Sequence, residues 1–216
     1  LQKRRPFFHL EISHIILYHC AGARSFRALW MLEELGLPYE LRMLAFPPRA
    51  REVGYLDLNP LGTIPLLIDG DTRMTESAAI LQYLGTRGRQ TDLVVGPHEQ
   101  DYGAYLNFLV MGEATLTFPQ TIFIRYTMME PEERRLPQAA ADYVQWFASR
   151  LRAAATLMGP EFACAGRFTA ADISVGYALQ LATRLGLADV FPPIVSDYVN
   201  RLCARPAYQR AQAAET

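Results

Sequence analysis

The chain has few cysteines, no long apolar run and no excess of charge of either sign, and each absence excludes something. Cys20, Cys164 and Cys203 are the three cysteines in 216 residues, too few and too scattered for a disulfide framework or a zinc site. Free thiols at that density fit a reducing compartment, so a cytoplasmic location is expected. No stretch reaches the ~18 consecutive apolar residues that a membrane-spanning helix needs. With 21 basic and 22 acidic residues the formal net charge is −1, which gives no reason to expect nucleic acid or an anionic membrane as partner. There is no glycine-rich phosphate loop and no ligand cluster at metal spacing, so neither nucleotide nor metal is implied. Lys3-Arg4-Arg5 and Phe7-Phe8 begin like a secretory signal, but His9, Glu11 and His14 interrupt the apolar stretch such a signal needs. Residues 1–13 therefore read as an extra basic arm leading into the first strand.

What is present divides near Gly96-Pro97. Before that point strand and helix patterns alternate. Residues 14–18 are an apolar run of strand length. Residues 24–35 read as a helix with Ala28, Leu32 and Leu35 on one face, stopped by Gly36 and Pro38. A second strand over 39–44 completes a strand–helix–strand unit, which implies a right-handed parallel crossover. Residues 64–68 form a third strand, and Asp69-Gly70-Asp71 turns into a short fourth near Met74. A helix over about 76–84 closes the unit.

After Pro97 strand signals largely disappear. Residues 102–125 read as one long helix with Tyr105, Phe108, Leu109 and Gly112 among its contacts. Pro131-Glu132-Glu133 opens another that extends toward Met158 with an adjustment at Pro137. Further helices are expected over 169–185 and 193–203. The expected architecture is an α/β N-terminal thioredoxin-like domain over 1–90, followed by an all-α C-terminal helical domain over 97–216.

Two short segments carry chemical information. In Asn59-Pro60-Leu61-Gly62-Thr63-Ile64-Pro65, a proline at the entrance of a buried strand cannot donate a ladder hydrogen bond. A cis bond before Pro65 would turn the Ile64 main chain toward open space, where an extended peptide could pair with it. An ordinary edge-strand proline is the alternative. About a dozen residues on, Thr75-Glu76-Ser77 opens a helix whose unpaired N–H groups favour a carboxylate. Glu76 could pair with an ammonium while Ser77 holds a carboxylate, together defining an amino-acid end group. Simple capping by Thr75 or Ser77 is the competing reading.

These segments, with Leu17-Tyr18, the run Arg27-Ala28-Leu29-Trp30-Met31-Leu32-Glu33-Glu34-Leu35-Gly36-Leu37-Pro38 and Ala79-Ile80, resemble the glutathione transferases, in particular bacterial-type cytosolic members. The resemblance covers about residues 15–208. It implies that Thr63, Ile64 and Pro65 line the cysteinyl part of glutathione, and that Glu76 and Ser77 hold its γ-glutamyl end. Arg51 would either face the glycyl carboxylate or be a solvated loop charge. In the second half, Phe168-Thr169-Ala170-Ala171-Asp172-Ile173 reads as a capping box with a hydrophobic staple, a structural motif similar to one in the same superfamily.

The superfamily places its thiolate-stabilising group in the loop after the first strand. Related members show Ser-Arg-Ser where this chain has Ala23-Arg24-Ser25, so the first hydroxyl is missing. Ser25 is the leading catalytic candidate, or an N-cap. Arg24 would lend positive charge, or point to solvent. Cys20 would exchange with glutathione, or be inert. Phe108, Met111, Glu113 and Phe118 are possible linings of an acceptor pocket or plain core. The implied activity is transfer of the glutathione thiolate to a small electrophile by a homodimer. A glutathione-dependent disulfide or peroxide reductase using Cys20, and a non-catalytic binding protein of the same fold, are the alternatives.

Overall fold

The computed structural model describes residues 14–87 and 91–215. The N-terminal arm expected over 1–13 lies outside the described residues. Strand β1 (Ile15–His19) is the inner strand on which the first half is built, buried along nearly its whole length. It pairs in parallel with β2 (Tyr39–Met43) and antiparallel with β3 (Leu66–Asp69), which pairs antiparallel with β4 (Thr72–Met74). The sheet order is β2-β1-β3-β4, the mixed order expected of a thioredoxin-like domain. Strand β3 starts at Leu66, two residues later than the apolar run suggests, so Ile64 and Pro65 precede the ladder.

Helix α1 (Phe26–Leu35) makes the parallel crossover between β1 and β2, and every residue from Phe26 to Leu32 is buried. A helix buried all round lies inside a core rather than on its surface. Here one side faces the first domain and the other the helical domain, where Trp30 meets Tyr208 at 5.0 Å and Phe168 at 5.9 Å between ring centroids. Two short helices, α2 (Pro48–Arg51) and α3 (Tyr55–Leu58), occupy the loop region before β3 and were not expected. Helix α4 (Ser77–Thr86) closes the domain.

The second half is helical, as expected: α5 (Tyr102–Met111), α6 (Phe118–Ile124), α7 (Pro137–Ala155), α8 (Ala170–Arg184), α9 (Pro193–Cys203) and α10 (Pro206–Ala214). The long helix expected over 102–125 is continuous but widens twice into π-helix, at Gly112–Thr117 and Arg125–Met129. The first widening sits where α5 meets α8: a Cβ on Gly112 would stand 2.3 Å from Ser174 Oγ. The helix expected from Pro131 is only a 3₁₀ turn at Glu132–Arg134. α7 begins at Pro137, whose missing N–H costs nothing at a first helical position. Helix α10 was not anticipated. The box at the start of α8 is present as read: Asp172 accepts from the Thr169 N–H at 2.8 Å. It also accepts from the Ala163 N–H at 2.7 Å and the Tyr198 hydroxyl at 2.8 Å.

Candidate active site

A cleft of about 590 Å³ lies between the two halves. One wall comes from the loop after β1 (Ala21 to Arg24), from Gly62 to Pro65 and from Thr75 to Ser77. The other comes from Glu113, Thr121, Ile124, Met129, Tyr177 and Leu181 of the helical domain. Thr63, Ile64, Pro65, Glu76, Ser77 and Arg24 are thus brought together; Ser25, Cys20 and Arg51 do not line the cleft.

The Ile64–Pro65 peptide bond is cis, as expected, and a second cis bond at Phe46–Pro47 was not foreseen. Among the described residues the Ile64 N–H and C=O make no hydrogen bond. The loop that presents them is braced, because the Thr63 carbonyl accepts from the Tyr55 hydroxyl at 2.6 Å and from Asn59 Nδ2 at 2.8 Å. Glu76 is exposed and occupies the N-cap position of α4 with extended backbone, so it is Glu76, not Thr75 or Ser77, that flanks the helix. Its side chain makes no capping bond, which leaves the carboxylate at the mouth of the cleft beside the helix start. Ser77 is buried, and its hydroxyl accepts from Arg27 Nη1 at 3.2 Å.

The loop after β1 is held by the other domain. Gly22, at φ +69°, donates its N–H to Glu215 Oε1 at 2.8 Å. Its carbonyl accepts from Arg184 Nη2 at 2.9 Å and from the Tyr177 hydroxyl at 3.2 Å. His19 Nε2 lies 3.0 Å from the same Glu215 oxygen, an ion-pair distance without hydrogen-bond alignment. Arg24, about a third exposed, reaches across the cleft. Its Nε donates to Glu113 Oε1 at 2.6 Å and its Nη2 to Thr121 Oγ1 at 2.9 Å.

Ser25 is fully buried at the N-cap position of α1, but its hydroxyl turns back on the preceding loop instead of capping. It accepts from the Cys20 N–H at 3.3 Å and donates to the Cys20 carbonyl at 3.5 Å. Both of its hydrogen-bonding roles are therefore taken by main chain. Cys20 is buried too, and desolvation, with Glu52 adding to it, pushes its thiol up to about 11. A thiol held protonated below the surface is a poor exchange partner. Arg51 lies in a separate shallow groove, and Arg49 takes the cleft-lining place. Residues two apart on a helix do not share a face. The phase could have been read from Pro48 at the first helical position of α2.

Of the four acceptor-pocket candidates only Glu113 lines the cleft. Phe108 is core and Phe118 stands half-exposed against Tyr143, with ring centroids 6.3 Å apart. Tyr177 and Leu181 were missed. They are one turn apart on α8, a spacing legible once the capping box sets where that helix starts. Together the residues make a two-sided cleft. One end carries a carboxylate, a helix start and unpaired main chain suited to an amino-acid end group. The facing wall carries an apolar patch of Ile124, Met129 and Leu181 beside Glu113, Thr121 and Tyr177. Among the described residues no group of three His, Cys, Asp or Glu is placed to hold a metal, and no helix is long and apolar enough to cross a membrane.

A thioredoxin-like domain docked on a helical domain, with such a cleft at the junction, defines a two-domain architecture. Residues 22–87 match the family model described as glutathione S-transferase, N-terminal domain. Over 70 residues the chain is 41% identical to glutathione S-transferase 3 of Schizosaccharomyces pombe, a match covering 32% of this chain and 29% of that protein. A match to glutathione S-transferase-like protein OpS6 of Beauveria bassiana is 41% identical and spans 35% of that protein, whereas glutathione S-transferase-like protein tpcF of Aspergillus fumigatus is 24% identical over 96% of its length. Solved structures match over nearly the whole length. The glutathione transferase URE2P6 of Phanerochaete chrysosporium, in complex with oxidized glutathione, is 25% identical with a TM-score of 0.80, covering 94% of this chain and 96% of that one. A sphingomonad glutathione S-transferase complexed with glutathione is 25% identical with a TM-score of 0.78, covering 93% and 98%. Residues 22–87 are thus similar in sequence to the N-terminal domain of glutathione S-transferases, and nearly the whole chain shares the fold of glutathione transferases.

Proposed function

We propose that the protein is a glutathione transferase that binds reduced glutathione in this cleft and transfers its thiolate to a small apolar electrophile. The observation that carries the reading is the convergence of the unpaired Ile64 main chain, Glu76 and Ser77 on one side of a cleft whose other wall includes the apolar Ile124, Met129 and Leu181. The tripeptide lies extended along Ile64, with its γ-glutamyl ammonium at Glu76 and α-carboxylate at the start of α4. Arg49 stands where a glycyl carboxylate would meet a cation, the role first considered for Arg51.

The sulfur then faces Ala21 to Arg24, a stretch without a hydroxyl, which leaves the Arg24 guanidinium and the N–H groups at the start of α1 to stabilise the thiolate. The thiol gives its proton to solvent, the thiolate attacks the electrophilic carbon, and the new S–C bond forms as the leaving group departs with its electron pair. The burial of Ser25 and Cys20 supports neither as the reactive group. A binding protein without turnover is a second reading, favoured by the absence of a hydroxyl on the cleft side of the loop. The working form is a cytoplasmic homodimer, consistent with the exposed apolar side chains of Phe46, Val110 and Phe118.

Calorimetric titration with reduced glutathione tests the binding: saturation is expected, with Glu76→Ala weakening it severely. Equal affinity in both proteins removes the site assignment. Turnover of a chloronitrobenzene electrophile separates the transferase from the silent binding protein.

A further inference from the structure

Arg27 is the residue of this site that no motif singled out. It has no exposed surface, although an arginine is rarely buried so completely without partners on every side. A guanidinium carries five N–H donors in a fixed fork, and here all five are used. Nε donates to the Ser174 carbonyl at 3.3 Å. Nη1 donates to Ser77 Oγ at 3.2 Å and Glu113 Oε2 at 2.7 Å. Nη2 donates to the Gly112 carbonyl at 3.0 Å and Thr117 Oγ1 at 2.8 Å. The face of the fork lies 4.3 Å from the centre of the Tyr177 ring.

The local helix geometry makes this possible. Between Gly112 and Thr117 the helix is π-wound, so the Gly112 carbonyl is reached by Arg27 and by the Thr117 hydroxyl, at 2.7 Å, within the widened turn. The same widened turn places Glu113 so that one carboxylate oxygen meets Arg27 and the other Arg24. Burial lowers the Arg27 pKa while Glu113 opposes the shift. Truncating one member of such a pair leaves an uncompensated buried charge.

We infer that Arg27 is a positioning residue that locks the Ser77 end of the cleft to the Glu113 and Tyr177 wall, so that the glutathione end group meets a preformed site spanning both domains. The inference rests on the glutathione reading above. It assigns Arg27 no contact with the reacting atoms. Its signature is therefore on glutathione affinity and not on the chemical step, and it acts through Ser77.

Arg27→Lys keeps the charge but loses the fork. Titrated with reduced glutathione, it is expected to bind about tenfold more weakly, with kcat at saturating glutathione within about twofold of wild type. In a Ser77→Ala background the same substitution is expected to have no further effect on affinity beyond about twofold, because the path through Ser77 is already cut. Thr117→Val provides a test that does not depend on Arg27→Lys folding. Thr117 is buried away from the cleft lining, and its isosteric loss of a hydroxyl is expected to weaken glutathione about threefold through the loosened Nη2. Wild-type affinity in a folded Arg27→Lys protein, or in Thr117→Val if the lysine variant does not fold, overturns the inference while leaving the glutathione site standing. Full additivity of Arg27→Lys and Ser77→Ala does the same. A wild-type protein that binds no glutathione takes down both.

Discussion

Removing Asp172 is the sharpest stability test of the helical domain. The carboxylate sits with no exposure at the start of α8 and accepts four hydrogen bonds, from the N–H groups of Ala163 and Thr169 and from the hydroxyls of Thr169 and Tyr198. All four donors belong to buried residues, so water cannot replace Oδ1 and Oδ2 once they are gone. Leaving a buried donor unsatisfied costs about 1–3 kcal/mol, and the lost cap about another 1 kcal/mol. Against this stands the desolvation of the carboxylate itself, the largest influence on Asp172 and the reason its pKa is raised despite the hydrogen bonds. Relief of that cost brings the expected loss for Asp172→Ala to about 3 kcal/mol, or a fall in Tm of roughly 6–12 °C for a chain of this size. Urea titration followed by circular dichroism at fixed protein concentration gives the number, and a loss below about 1 kcal/mol would refute the reasoning.

The pH dependence has a defined sign. A carboxyl whose folded pKa is raised holds its proton longer in the folded chain, so folded protein binds more protons above the ordinary value of 3.8 and up to the raised one. Wild-type stability from this group is fully present below that window and declines as pH rises through it. The gap between wild type and Asp172→Ala should therefore narrow across the window.

Gly112→Ala puts a methyl 2.3 Å from Ser174 Oγ and 2.5 Å from its main chain, so α5 and α8 must part. The better helix propensity of alanine offsets only part of this, and a net loss of about 1–2 kcal/mol by denaturant titration is expected. Arg24→Ala should lower glutathione-dependent turnover at neutral pH by about tenfold. That lies below the usual effect of a single transition-state donor because Glu113 already shares the charge. The deficit should shrink as pH rises and the thiolate forms unaided, and a pH-independent deficit would exclude Arg24 from that role. Light scattering should give about twice the 24.3 kDa chain mass at micromolar concentration; a monomer there counts against two-fold pairing.

The sequence by itself determined the elements whose signals are local. Strands β1 and β3 are apolar runs, α1 ends at Gly36, Asp69-Gly70-Asp71 turns, and α8 starts at a box four residues long. Each is set by backbone chemistry within a few residues, and the short segments around Ile64 and Glu76 fall in the cleft for the same reason. Which side chains face that cleft was decided by tertiary structure. Ser25 and Arg24 are neighbours in sequence, yet the first curls back on Cys20 and the second crosses to Glu113. Arg49 lines the cleft and Arg51 does not, through the phase of a four-residue helix. In sequence Arg27 is only the first residue of the run Arg27 to Pro38. Only the docking of a second domain on its outer face, with a π-turn 85 residues away offering its carbonyl, turns that position into the centre of the molecule. Helix periodicity reports the face that meets the helix's own domain; a face buried by a distant domain carries no local signal, because its partners are chosen by the packing of the whole chain.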